Sequence, residues 1–323
     1  MAEVNREKDS QGARPILRPG ATIAVLSPAS SPRAELVERG VQHLRSMGYS
    51  VRLGAHALTK GPLYYAGRID ERLEDFHDAF RNPQVDAVLC TRGGWGSAEL
   101  LPHLDAKLIG SNPKVFVGYS DHTALHMWLH RYTGITTYHG PMVAADFGRQ
   151  DGVDLPSWNA CLQGRSEWVL GAGDGLRVLR AGEAKGKLWG GCLSIVAESL
   201  GTPFAPQPTG GILFLEDINT KPFQWDRMVL HLKYAGMLEG VTGIVFGDMG
   251  QCVGPEEEEL LVAALLHALR DFDGPIAMGL RSGHVSGANI TLPLGATVRL
   301  DLRESENPVM HLDEAPFTDS FIG

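Results

Sequence analysis

The strongest constraint on the fold is a repeated alternation. Short apolar runs end in loops rich in Gly or Ser, and a helical pattern then follows. ATIAVLSPA opens the series with a strand over residues 21–26. Residues 31–47 read as a helix with Ser31 as N-cap, Pro32 at its first position and Gly48 as its stop. YSVRLG is the next strand and 70–81 the next helix, stopped by Asn82-Pro83. VDAVLC and KVFVGY follow as strands. Strands alternating with helices imply parallel βαβ units with helices on both sheet faces.

The pattern weakens over 144–183, where Gly, Asp and Pro cluster without a period. It resumes with GKLWGG, an apolar stretch over 193–200, the strand GILFLED, a helix over 222–235 and the strand GVTGIVFGD. A helix over 256–272 carries four glutamates at its positive end, and GPIAMGL and ITLPLGATVRLDL read as strands. A chain of 323 residues suits two compact domains. The expected division is a disordered tail over 1–15, an N-terminal α/β domain over 16–145, a linker over 146–183 and a C-terminal domain over 184–323.

Composition excludes several function classes. At 43% hydrophobic and 21% charged, the chain reads as an ordinary soluble globular protein. A net charge of −9 argues against a nucleic-acid partner. No apolar run approaches the ~20 residues of a membrane span. The polar N-terminus has no signal-peptide core, so the cytoplasm is the expected location. Cys90, Cys161, Cys192 and Cys252 lack any CxxC spacing and read as buried thiols.

The chemistry centres on VFVGYSDHTALHMWL. A serine hydroxyl needs a base and oxyanion donors before it attacks a carbonyl. Gly118-Tyr119-Ser120-Asp121 offers a tight strand-to-helix turn that exposes a hydroxyl beside free helix N–H groups. It departs from G-x-S-x-G, since His122 replaces the last glycine, and a serine there is also a good N-cap. His122, His126 and His130 lie four apart on one helical face. No carboxylate or cysteine joins them, so a packed face is expected rather than a metal site.

A base for Ser120 is expected from a separate loop. His284 in LRSGHVSGAN follows a strand end, where open α/β sheets place their chemistry. GILFLEDIN ends in Glu216 and Asp217, which face opposite ways, so at most one meets a given histidine. Asp248 is a rival acid. RGGWG, residues 92–96, follows another buried strand and suits an oxyanion donor loop.

Together these segments resemble the LD-carboxypeptidase family of serine peptidases, which includes murein tetrapeptide carboxypeptidases and microcin C self-immunity proteins. VLSPAS, YYAGRIDERLEDFHDAF, AVLCTRGGWGSAELL, VFVGYSDHTAL, YHGPM, LWGGCLSIV, FLEDIN, MVLHLKYAGMLEGVTGIVFGD and GLRSGHVSGANITLPLG carry the resemblance in order, from about residue 21 to about residue 300. The resemblance implies Ser120 as nucleophile, Glu216 as acid and His284 as base. Backbone N–H groups of Gly94 and Asp121 are the implied oxyanion donors. Cys192 stands where asparagine is expected in many relatives.

The implied fold is α/β. It pairs an N-terminal parallel-sheet domain, similar to class I glutamine amidotransferases, with a smaller swivelling C-terminal β/α domain, and the site lies in the cleft. No metal or cofactor is implied, and a homodimer is. The implied substrate is a murein tetrapeptide recycled in the cytoplasm, losing its C-terminal D-Ala. Arg92 is a candidate for the terminal carboxylate. An alternative within the family is cleavage of a peptidyl- or aminoacyl-nucleotide, with Trp95, Trp189 or Trp225 receiving the base. A non-catalytic two-domain binder is the alternative from another class.

Overall fold

The computed structural model describes residues 14–164 and 166–313, so the tail expected over 1–15 lies outside the described residues as far as residue 13. The first half runs β1 (Thr22–Leu26), α1 (Ala34–Ser46), β2 (Ser50–Leu53), α2 (Ile69–Arg81) and β3 (Ala87–Cys90). Two short helices, α3 (Ser97–Leu100) and α4 (Ala106–Ser111), lead to β4 (Val115–Gly118), α5 (Thr123–Thr133) and β5 (Thr137–His139). These strands pair in parallel in the order 2-1-3-4-5. In such a doubly wound sheet, ligands bind beyond the carboxyl ends of the strands, where the order reverses.

The second half holds α6 (Leu155–Trp158), β6 (Val169–Gly171), β7 (Arg177–Arg180), β8 (Glu183–Cys192), α7 (Leu193–Ser199) and β9 (Ile212–Glu216). It continues with α8 (Pro222–Tyr234), β10 (Gly243–Gly247), α9 (Pro255–Ala268), β11 (Ile276–Leu280), β12 (Leu292–Leu294), β13 (Thr297–Asp301) and β14 (Val309–Leu312). The second sheet has the order 6-14-13-8-9-10-11-7, with β8 to β11 parallel. β12 leaves it to pair antiparallel with β5 in the first sheet.

Strand alternation sorts side chains between cores, as period 2 requires. Ile23, Val25, Ala87, Leu89, Val115 and Val117 enter a central core, which also holds Ile212, Phe214, Val245 and Ala277 of the second sheet. Ala24, Val88 and Phe116 face the other way, against α2 and α5. Leu213, Ile244, Phe246 and Ile276 pack under α8 and α9. The two sheets therefore share one apolar layer.

Residues 146–183, expected as a linker, fill part of that layer with Phe147, Trp158, Leu162, Trp168 and Leu170. Short helical turns and the three-residue strand β6 deliver most of these side chains, and segments of three to five residues are too short to show a period. Ser31 is not the N-cap of α1, because the helix begins three residues later. Its hydroxyl donates instead to the carbonyls of Thr59 (3.0 Å) and Tyr65 (2.9 Å), tying two loops together. Among the described residues no helix is long and apolar enough to cross a membrane.

Candidate active site

β4 is buried throughout and ends at Gly118. Tyr119 stays extended, and Ser120 turns the chain with φ of 63°. A non-glycine residue in the left-handed region carries about 1–2 kcal/mol of strain. Ser120 is thus no capping serine: Tyr119 is the N-cap of the 3-10 turn Ser120–His122, His122 is the N-cap of α5, and the Ser120 hydroxyl points elsewhere. Its Oγ lies 3.0 Å from His284 Nε2.

His284 sits 164 residues later, in the loop after β11. That loop is anchored in both sheets, because β11 belongs to the second and β12 to the first. Within it, Gly283 has φ of 94° and donates its N–H to Asn289 Oδ1 at 2.9 Å. A Cβ at Gly283 would fall 2.4 Å from Glu216 Cδ, so only glycine lets the loop lie on the carboxylate. Glu216 Oε2 accepts both from His284 Nδ1 (2.7 Å) and from the His284 main-chain N–H (3.0 Å). The Tyr119 ring meets the imidazole edge-on at 5.2 Å.

The electrostatics suit a base. Burial pulls the His284 pKa down, but the charge and hydrogen bond of Glu216 outweigh it and leave it raised. Burial alone would raise the Glu216 carboxyl, yet His284 leaves it below its ordinary value. Asp217 faces away from the imidazole, as strand alternation requires. Its Oδ2 accepts the Ser194 N–H at 2.9 Å and so caps α7. Asp248 accepts from Gly250 N–H at 3.0 Å and has no hydrogen bond to His284.

The loop of residues 92–96 lies against the elbow. Gly93 makes the close approach: a Cβ there would stand 2.7 Å from Ser120 Cβ and 3.3 Å from the Asp121 nitrogen. Gly94 follows with φ of 110° and packs on Ser30. Asp121 accepts the Ser97 N–H at 2.8 Å, which holds the start of α3 to the elbow. The Arg92 side chain is exposed, while its carbonyl accepts from His122 Nε2–H at 3.0 Å. Trp95 is 63% exposed and pairs with Tyr64, ring centroids 5.5 Å apart.

Trp189 and Trp225 are not brought to the elbow. Trp225 is fully buried against Phe246, and Trp189 packs edge-on to His130. Cys192 is buried, and its N–H donates to Thr123 Oγ1 at 3.0 Å, joining β8 to α5. The histidine stripe has structural partners. His122 Nδ1 accepts from Ser97 Oγ at 3.0 Å. His126 donates to Gly118 O at 2.8 Å and accepts from Thr137 Oγ1 at 2.7 Å, while His130 donates to that same hydroxyl at 3.1 Å.

Two residues at this site escaped sequence reasoning. Arg72 is buried, and its Nη1 donates to Pro28 O and Gly96 O, both at 2.9 Å. It pairs with Glu99 and lies over the Tyr65 ring. It thereby fixes the loops after β1 and β3 together. A signal existed: Arg72, Phe76 and Phe80 are four apart, so an arginine interrupts a buried stripe. Asn289, which holds Gly283, gave no comparable signal.

Two sequence profiles match the chain, the LD-carboxypeptidase N-terminal domain over residues 23–140 and the LD-carboxypeptidase C-terminal domain over residues 185–300. A Bacillus subtilis protein described as a probable murein peptide carboxypeptidase is 38% identical over 294 residues, which cover 89% of this chain and 91% of that one. The solved structure of an MccF-like protein from Bacillus anthracis has a TM-score of 0.84 at 28% identity, covering 94% of this chain and 100% of that one. A muramoyltetrapeptide carboxypeptidase from Oxalobacter formigenes has a TM-score of 0.80 at 29% identity, covering 92% of this chain and 100% of that one.

Proposed function

Since the chain belongs to the LD-carboxypeptidase family and is a carboxypeptidase, we propose that it removes the C-terminal D-Ala of a murein tetrapeptide during cytoplasmic peptidoglycan recycling. The observation that carries this reading is the line Ser120 Oγ, His284 Nε2, His284 Nδ1, Glu216 Oε2, with spacings of 3.0 Å and 2.7 Å at its two hydrogen bonds.

In this mechanism His284 Nε2 takes the Ser120 proton as Oγ attacks the carbonyl before D-Ala. Glu216 holds the imidazole in the Nδ1–H tautomer and stabilises the imidazolium that forms. The N–H groups of Gly94 and Asp121 receive the oxyanion, each donor being worth ~3 kcal/mol of barrier. The imidazolium protonates the departing amine, and the C–N bond breaks to leave an acyl-Ser120. Water, deprotonated by His284, then attacks the ester and restores the hydroxyl. Arg92, exposed beside the elbow, is the candidate cation for the terminal carboxylate.

A second reading keeps the same machinery and changes the substrate to an aminoacyl-nucleotide. The exposed Trp95–Tyr64 pair favours it, because a base stacks on such faces. The test is release of D-Ala from a murein tetrapeptide by the wild type and by Ser120→Ala. Release by wild type alone supports the first reading. Release that survives Ser120→Ala removes the nucleophile. Cleavage confined to an aminoacyl sulfamoyl adenosine transfers the conclusion to the second reading.

A further inference from the structure

Glu216 is served on one oxygen only. Oε2 accepts twice from His284, whereas no protein group hydrogen-bonds Oε1, although the side chain is only 3% exposed. An unpaired buried carboxylate oxygen is costly and favours protonation of the acid. A protonated Glu216 would no longer stabilise an imidazolium.

His139 faces that oxygen. It ends β5 and is fully buried, and neither ring nitrogen hydrogen-bonds a protein group. Its Nε2 lies 4.0 Å from Glu216 Oε1. Tyr119 and Phe214 flank the ring at centroid distances of 5.8 and 5.2 Å. His126, 6.3 Å away, spends both its nitrogens on Thr137 and Gly118. His139 also pairs with Gly118 on the strand leading to Ser120 and with Leu292 on the strand that ends the His284 loop.

We propose that His139 is a positioning residue: a neutral imidazole whose Nε2–H is donated to Glu216 Oε1, so that both carboxylate oxygens are held while His284 carries its charge. Hydrogen bonds that are long in a free enzyme tighten in the substrate complex, which covers the 4.0 Å separation. Neutrality matters. A charged His139 would compete with the His284 imidazolium for one carboxylate, whereas a neutral donor steadies Glu216 without that competition. Burial supplies the neutrality by holding the His139 pKa down at about 4.

The inference rests on Ser120, Glu216 and His284 acting as proposed above, but its first test does not need turnover. In nitrogen-15 spectra of the histidine-labelled wild type, His139 is expected as the neutral Nε2–H tautomer. An Nδ1–H tautomer, or a charged ring at pH 7, overturns the proposal. His139→Phe keeps the ring's volume and removes the donor; His139→Gln keeps a donor. The Phe variant is expected to lose kcat roughly 10- to 100-fold, with KM nearly unchanged and the far-downfield His284 Nδ1 proton resonance weakened. The Gln variant recovers most of both. A Phe variant with wild-type kcat or an unaltered resonance, or a Gln variant as impaired as Phe, overturns it. A wild type inactive on tetrapeptide would sink the functional reading alone, since tautomer and resonance would still decide this one.

Discussion

Two sets of buried histidines stand on either side of the elbow, and they have opposite chemistry. His122 at the start of α5 and His126 and His130 on it bond carbonyls and hydroxyls, and burial drives their pKa values down, to about 4 for His122 and about 3 for His130. His284 is also largely enclosed, with 12% of its side chain exposed, yet its pKa is raised. The partner makes the difference. A carbonyl accepts one proton and fixes a neutral ring as a pin, whereas a carboxylate in direct hydrogen bond stabilises the charged ring and makes it a base. His139, 4.0 Å from the same carboxylate and without that bond, stays with the neutral rings, its pKa held down at about 4 by burial.

The contrast breaks most sharply by substitution. His284→Ala and Ser120→Ala are each expected to cost on the order of 10⁴-fold or more in kcat, read as D-Ala release, with little change in melting temperature. Glu216→Gln keeps the shape but loses the charge that raises the His284 pKa. A loss of roughly 10³-fold in kcat is expected, and wild-type turnover in that variant would show that the carboxylate does not tune the base. His126→Leu should do the reverse. It removes one of the two partners of Gly118 O, which keeps the Gly140 N–H, and of Thr137 Oγ1, which keeps His130, so unfolding in urea should show a loss of about 1–3 kcal/mol, while the folded fraction keeps kcat within about tenfold.

The smallest effect is in pH dependence. In the unfolded chain His122 and His130 take up a proton near the ordinary ~6.5, but the folded protein resists until the pH approaches their depressed values. Between those points the unfolded state binds more protons, so stability rises with pH and is lost as pH falls. The urea midpoint should therefore be lower at pH 5 than at pH 7, and His130→Gln should shrink the gap. His284 has the opposite sign. Its raised value means that its contribution to stability is present at low pH and lost as pH rises through that value. The acid limb of kcat/KM should accordingly fall above ~6.5, and a limb at or below that value would remove the raised base.

Much of the site was legible one segment at a time. GYSD announced a strand-to-helix turn, and a glycine-rich loop after β3 and a loop histidine after β11 sat where open sheets expose backbone. The Glu216/Asp217 alternative was narrowed by strand alternation to one residue of the pair. Only the resemblance chose Glu216, and the structure shows its carboxylate on the imidazole. Arg72 hid in plain view, as an arginine on a helical stripe of phenylalanines. The core side chains of residues 146–183 were not legible, because the helices and strands that carry them are only three to five residues long and show no period.

The sequence by itself determined the βα alternation, a length that suits two domains and the loops that carry reactive side chains. Periodicity and turn chemistry are local, so they can be read from neighbouring residues. Tertiary structure alone decided which buried histidine faces a carboxylate and which faces a carbonyl, how closely Gly93 approaches Ser120, and that β12 crosses to the first sheet. Those facts depend on contacts between residues far apart in the chain, 164 positions for Ser120 and His284. The protonation of a ring is set by the field around it, which exists only once the chain has folded.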